Sequence, residues 1–246
     1  MLRSVAQFGM IAAALTLVWC FLSCFGIFKA ISGSMEPLLP TQSYGIYNKL
    51  KYGVSTYNAI PFLPFPHPPK YLFRWSHPER GEAVAFSMIE RFAFSGITER
   101  SIYLKRVIGM PGETVELRSD STYINNRYLD EPYAVVDGES PTDVPDLFPI
   151  HKRHTLQHYG PFVVPKAGLT LDLSEPAALR SWSTVLTEDG AVIDLDKGTI
   201  DGSVRTSYTF RNDFYFVLGD NRHNSLDSRW FGPIQENCVV AKLIWP

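Results

Sequence analysis

Residues 103–113 read YLKRVIGMPGE, and this stretch decides the fold. Tyr103, Lys105 and Val107 alternate with Leu104, Arg106 and Ile108, the period-2 pattern of a strand with both faces occupied. Gly109-Met110-Pro111-Gly112 then breaks the run with a turn. Working outward, similar short β-rich runs lie at 44–48, 82–86, 102–108, 114–117, 162–164, 214–218 and 239–244. Turn pairs punctuate them: Arg80-Gly81, Asn125-Asn126, Asp189-Gly190 and Lys197-Gly198. One helix is predicted over 174–186, with Ser174 as N-cap and Pro176 in the first turn. The fold class predicted is mainly β, with a minor α+β contribution.

Lys105 is the unusual member of its strand. A lysine on a packed face loses hydration, and that favours its neutral amine. A neutral amine can serve as a general base. The competing reading is a lysine whose ammonium snorkels from a sheet edge.

Two other stretches carry polar chemistry. Residues 31–37 read ISGSMEP, with Ser32 and Ser34 flanking a glycine. Residues 219–229 read GDNRHNSLDSR, a dense polar loop after the apolar run 214–218. Within it Asp227 and Arg229 are expected to pair, as are Asp220 and Arg222.

The amino end is the second feature. Residues 5–28 carry no charge, and Arg3 and Lys29 flank them. As a helix this stretch would be about 36 Å long, enough for the roughly 30 Å hydrocarbon core. No Ala-x-Ala-like cleavage site follows it, and Phe21-Leu22-Ser23-Cys24 is a poor lipoprotein signal. An uncleaved transmembrane anchor is expected, with residues 1–4 in the cytoplasm by the positive-inside rule.

With 23 Lys+Arg against 25 Asp+Glu, the net charge is −2. No excess of cations is available for phosphate contacts, so no nucleic-acid partner is expected. Cys20, Cys24 and Cys238 form neither a disulfide framework nor a metal-ligand spacing. His151, His154 and His158 are spaced H-x-x-H-x-x-x-H, but the surrounding Pro, Lys and Arg read as an exposed basic loop rather than a metal site. Residues 60–69, IPFLPFPHPP, cannot form a ladder. Their apolar side chains either pack under the domain or face a bilayer.

Taken together, SGSMEP, RGEAVAF at 80–86, YLKRVIGMPGE and GDNRHNSLDSR resemble the bacterial type I signal peptidases, membrane-bound Ser–Lys endopeptidases of the Sec and Tat export routes. The resemblance is weakest across 130–159. It implies a two-sheet β-rich catalytic core at 29–112 and 210–246, with an inserted second lobe at 113–209 that partly returns to the core. It implies Ser34 as nucleophile, Lys105 as general base, and Ser32 with the Ser34 N–H as the oxyanion hole. Ser225 matches the serine that orients the lysine amine. Asp227, Arg229 and Arg106 match ion-pair positions of the framework. No cofactor and no metal are implied. The implied partners are signal peptides of exported preproteins, cut after small-x-small residues, and the lipid bilayer, with the catalytic part on the outer face of the bacterial inner membrane. Leu38-Leu39, Gln42-Ser43 and His223 depart from the usual Thr-Leu, Gly-Asp and Asp. Two other readings are a same-clan peptidase dedicated to a few pilin or conjugation precursors, and a catalytically silent membrane adaptor.

Overall fold

The computed structural model describes residues 10–11, 16, 18, 21, 24–56, 69–91, 98–136, 147–149, 152, 154–175 and 177–246. In chain order the strands are β1 (Phe25–Lys29), β2 (Tyr44–Asn48), β3 (Gly53–Ser55), β4 (Tyr71–Arg74), β5 (Ala83–Arg91) and β6 (Thr98–Gly109). Then follow β7 (Thr114–Arg118), β8 (Ser121–Ile124), β9 (Arg127–Tyr128), β10 (Tyr159–Val163) and β11 (Thr170–Asp172). After helix α1 (Ala178–Glu188) come β12 (Ile193–Asp194), β13 (Thr199–Ile200), β14 (Ser207–Thr209) and β15 (Phe214–Leu218). A short helix α2 (Ser228–Phe231), β16 (Ile234–Gln235) and β17 (Val239–Trp245) complete the described order. The protein is mainly β, as its alternation predicts.

The main sheet has seven strands in the order β1-β2-β17-β5-β6-β15-β16. Strand β15 explains why it holds together. All five of its residues are buried. Phe214, Phe216 and Leu218 enter one apolar cluster, and Tyr215 and Val217 enter another on the opposite face. Strict alternation thus feeds two cores from one strand. The larger cluster is built mostly from 115–210, including Val115, Phe162, Trp182 and Leu186. The segment between β6 and β15 therefore packs directly on the back of the main sheet. It contains a four-stranded sheet, β10-β7-β8-β9, and α1.

The turn chemistry follows the sequence. Asn125 and Asn126 take φ of 50° and 64°, the left-handed pair of a two-residue hairpin between β8 and β9. The Asn125 side chain also accepts from the Thr114 N–H at 2.9 Å. Gly112 adopts φ 82° in the turn leaving β6.

Three expectations need correction or fall outside the described residues. The helix begins at Ala178, not 174, and Ala177 supplies no side-chain cap. Instead Asp172 accepts from the Ser174 N–H at 2.9 Å, which holds 172–174 in a turn that delays the helix. At the amino end, Phe25–Phe28 are not helical but belong to β1, paired residue by residue with β2. Most of 5–24 and the Pro-rich residues 60–68 lie outside the described residues. Among the described residues no helix is long and apolar enough to cross a membrane.

Candidate active site

Ser34 sits in the turn that links β1 to β2. Met35 and Leu39 bury their side chains with Ala30, Ala83 and Leu243, so the turn is pinned to the sheet by apolar contact. The Leu39 N–H donates to the Met35 carbonyl at 2.9 Å, and Gln42 N–H to Ala30 O at 2.8 Å. Ser34 itself is 7% exposed. Its carbonyl accepts the Asn221 N–H at 3.2 Å, which ties the turn to the loop after β15.

Lys105 reaches the same point from β6. It lies opposite Val84 of β5 in the ladder, and Val107 on its face packs with Val84 and Phe86. The side chain is 3% exposed. Its Nζ donates to Ser34 Oγ at 2.7 Å and to the Leu104 carbonyl at 2.9 Å. Burial brings its pKa down to about 8, against opposing pulls from the Asp227 and Asp220 carboxylates. The sheet-edge reading of this lysine is thereby excluded. Ser32 Oγ lies 3.4 Å from Ser34 Oγ.

Three buried arginine–carboxylate pairs surround the lysine. Arg229 grips Asp227 through Nε at 2.9 Å and Nη2 at 2.8 Å, with both side chains fully buried. Burial works to raise the Asp227 pKa, but Arg229 and the Gly219 N–H outweigh it and hold the carboxyl below its usual range. Arg106 Nε donates to Asp220 Oδ1 at 2.7 Å, and its Nη1 to Gly81 O at 2.7 Å. Arg222 Nη2 donates to Glu131 Oε1 at 2.6 Å, and its Nη1 to Thr122 Oγ1 at 3.1 Å. The expected Asp220–Arg222 pair is thus replaced. The guanidinium of Arg106, coming off the adjacent strand, meets Asp220 in a fork, while Arg222 turns towards Glu131.

Ser225 departs from its expected contact. Its Oγ makes no hydrogen bond to Lys105. The side chain packs against Gly219, where an added Cβ would meet its Oγ at 2.1 Å.

A cavity of about 640 Å³ opens over Ser34 and Lys105. Ile31, Leu39, Ile102, Tyr103, Leu226 and Trp230 line it, and it takes in both hydroxyl groups of the 32–34 turn. Apolar side chains alternate in the wall with the Ser32, Ser34 and Ser101 hydroxyls, the Lys29 and Lys105 amines and the 223–225 side chains.

A model of the family described as signal peptidase, peptidase S26, matches residues 1–246. The chain belongs to this signal peptidase family. Within the family it is 29% identical over 164 residues to signal peptidase I of Bacillus amyloliquefaciens, spanning 66% of this chain and 53% of that protein. It is 25% identical to signal peptidase I of Buchnera aphidicola, covering 99% of this chain and 74% of that one. Signal peptidase IB of Staphylococcus aureus is 31% identical across 58% of this chain and 53% of its own length. The matches to the first and third of these relatives thus span about half of their length. The crystal structure of a signal peptidase I from Enterococcus faecalis aligns with a TM-score of 0.32 at 26% identity, over 69% of this chain and 98% of that one.

The remaining residues singled out in this signal peptidase sequence fall as follows. His223 lines the cavity and its Nε2 lies 3.2 Å from Asp120 Oδ1. His154 stacks on Tyr159, with ring centroids 4.6 Å apart, whereas His158 contacts Ser119 Oγ at 3.3 Å. His151 lies outside the described residues. Among the described residues no group of three or more His, Cys, Asp or Glu could hold a metal ion. Leu39 fills the core beneath the turn that bears Ser34, and Gln42 takes φ 68°, a conformation that glycine adopts without strain. Sequence reasoning missed Glu131, Tyr133 and Thr122, which no motif marks. Their only signal is the need for partners around two buried guanidiniums, Arg222 for Thr122 and Glu131 and Arg106 for Tyr133.

Proposed function

We propose that this chain is a membrane-bound serine endopeptidase that removes signal peptides from exported preproteins with a Ser34–Lys105 dyad. One observation carries the reading. The Lys105 amine, buried and with a pKa near 8, lies 2.7 Å from the Ser34 hydroxyl at the wall of the cavity.

The chemistry follows from that contact. Lys105 Nζ in its neutral form takes the proton from Ser34 Oγ as Oγ bonds to the scissile carbonyl carbon. The carbonyl π pair moves onto oxygen. The Ser34 N–H and the Ser32 hydroxyl serve as donors to that oxyanion, a contribution typically worth about 3–4 kcal/mol per donor. The tetrahedral species collapses, the C–N bond breaks, and the leaving amine takes the proton held by Lys105. An acyl ester remains on Ser34. Water, deprotonated by the same amine, hydrolyses it and regenerates the hydroxyl. The Leu104 carbonyl aims the amine, and the Arg106, Arg222 and Arg229 pairs hold the surrounding loop. No metal or organic cofactor takes part.

Substrate choice rests on the cavity and on the membrane. Apolar side chains close to Ser34 favour alanine-sized side chains before the cut. The uncharged residues 5–24, which precede β1, are long enough at about 1.5 Å per residue to cross roughly 30 Å of hydrocarbon. An anchor there keeps the cavity near the bilayer, where a preprotein's own apolar segment ends, and raises the effective concentration of substrate.

The test is cleavage of an Ala-x-Ala preprotein in detergent or liposomes by the wild type, Ser34→Ala and Lys105→Ala. Loss of cleavage in both folded variants supports the dyad. Cleavage at the wild-type rate by either variant overturns it.

A further inference from the structure

Tyr133 joins two of the three buried ion pairs. Its ring lies against the Arg106 guanidinium, with the Arg106 Cζ 3.9 Å from the ring centroid. Its hydroxyl lies 3.5 Å from Glu131 Oε1, the same oxygen that accepts from Arg222 Nη2 at 2.6 Å. Arg106 in turn forks onto Asp220. Two residues further along, Val135 N–H donates to Asp220 O at 2.8 Å, and Arg222 N–H donates to Val135 O at 2.9 Å. Residues 131–135 therefore grip residues 220–222 directly by the Glu131–Arg222 ion pair and a two-bond parallel bridge between Val135 and Asn221, and indirectly through the Tyr133 ring on Arg106, which holds Asp220. Between those gripped residues stands Asn221, whose N–H holds the Ser34 carbonyl.

We propose that Tyr133 is a positioning residue. It fixes the Arg106 fork, the fork fixes Asp220, and the Asn221 N–H then holds the nucleophile's backbone in register with Lys105. The functional part of this inference rests on the Ser34–Lys105 reading above. The mechanical part does not.

The physical case is one of alternatives. The Asp220 fork and the Gly81 carbonyl fix the Arg106 guanidinium within its own plane, and the ring face limits displacement out of that plane. A cation–π contact favours the single orientation that lies parallel to the ring. Because Asp220 is fully buried, any tilt of Arg106 moves the carboxylate and the adjacent peptide together rather than being absorbed by solvent. A displacement of even about 1 Å at a nucleophile is enough to lower turnover strongly.

The experiment uses the full chain in detergent, with Tyr133→Met and Tyr133→Leu to remove the ring face and Tyr133→Phe to keep it. Two quantities are read: kcat and KM on an Ala-x-Ala preprotein, and amide hydrogen exchange of peptides covering 33–36 and 219–223. The expected result for Tyr133→Met is faster exchange in both peptides. Its kcat falls about tenfold with KM within about twofold, since substrate contacts are untouched. Tyr133→Phe restores both. Leu serves in place of Met if the Met variant does not fold. Unchanged exchange in the folded variants overturns the proposal whatever the activity does. Faster exchange with an unchanged kcat overturns its functional part. A wild type whose cleavage survives Ser34→Ala overturns the dyad instead, and exchange alone then decides whether Tyr133 holds the turn.

Discussion

Gly219 and Ser34 approach so closely that no larger residue fits between them. A Cβ on Gly219 would lie 2.5 Å from the Ser34 carbonyl oxygen and 2.1 Å from Ser225 Oγ. The first residue of the final motif is thus a spacer that lets two loops touch. Gly219→Ala is expected to push the nucleophile turn away from Asn221. We expect overpacking to lower stability by about 1–3 kcal/mol in denaturant titrations. We also expect loss of most preprotein cleavage. An alanine variant with wild-type kcat would show that the contact is dispensable.

The acidity of Lys105 sets the pH dependence. Only the neutral amine accepts the Ser34 proton, so kcat/KM is expected to rise from the acid side and level off above an apparent pKa near 8. A pH–rate profile measured with a peptide free of ionisable groups checks this. A flat profile between pH 6 and 9 would remove the lysine from the proton transfer.

The same burial makes the lysine a burden on folding. Its folded pKa of about 8 lies below the ordinary 10.5, so the unfolded chain binds the extra proton between these values. Stability should therefore rise as pH increases from about 8 to about 10.5, and below 8 the full penalty is present. That penalty is on the order of 3 kcal/mol at 1.36 kcal/mol for each pKa unit. Lys105→Met is accordingly expected to be more stable than wild type at pH 7. Its advantage should shrink as the pH passes 8. Melting temperatures of both proteins across pH 6–10 give the comparison.

Arg229 and Asp227 are fully buried together. Removing one partner leaves a charge without compensation, which typically costs about 3–5 kcal/mol. Arg229→Met should therefore unfold at much lower denaturant. The double variant Arg229→Met, Asp227→Leu should recover part of the loss. A double variant no more stable than the single one would mean that Arg229 acts through its bonds to the Leu156 and Arg222 carbonyls instead.

What was legible in the sequence depended on whether the deciding contact was local. The strands 44–48 and 214–218 are read residue for residue, because alternation and flanking turns are properties of the segment itself. Lys105 was not settled in this way: alternation alone left a sheet-edge lysine open, and its burial is decided by the packing around β6. The short strands β11 to β14 were not legible, since two- and three-residue ladders carry too little alternation to register. The helix start at 178 was hidden because Asp172 competes for the Ser174 N–H. At the site, the loop sequence suggested the Asp227–Arg229 pair, and Arg106 came into view only through the family resemblance. The true partner of Arg222 lies 91 residues away at Glu131, and no local pattern points to it. Ser225 was legible as a member of the loop, but its packing against Gly219 was not.

The order of strands in the main sheet has a consequence for how the chain assembles during synthesis. The turn bearing Ser34 belongs to the β1–β2 hairpin, and Lys105 belongs to β5–β6, yet in the sheet these two hairpins are neighbours only through β17. That strand follows both hairpins in chain order. During synthesis Ser34 and Lys105 would emerge before the strand that lies between their hairpins in the sheet. Such long-range pairing is slow compared with local hairpin closure. The insertion of 239–245 therefore completes the ladder between the two hairpins, beside the Asn221 bond that ties the Ser34 turn to the loop after β15.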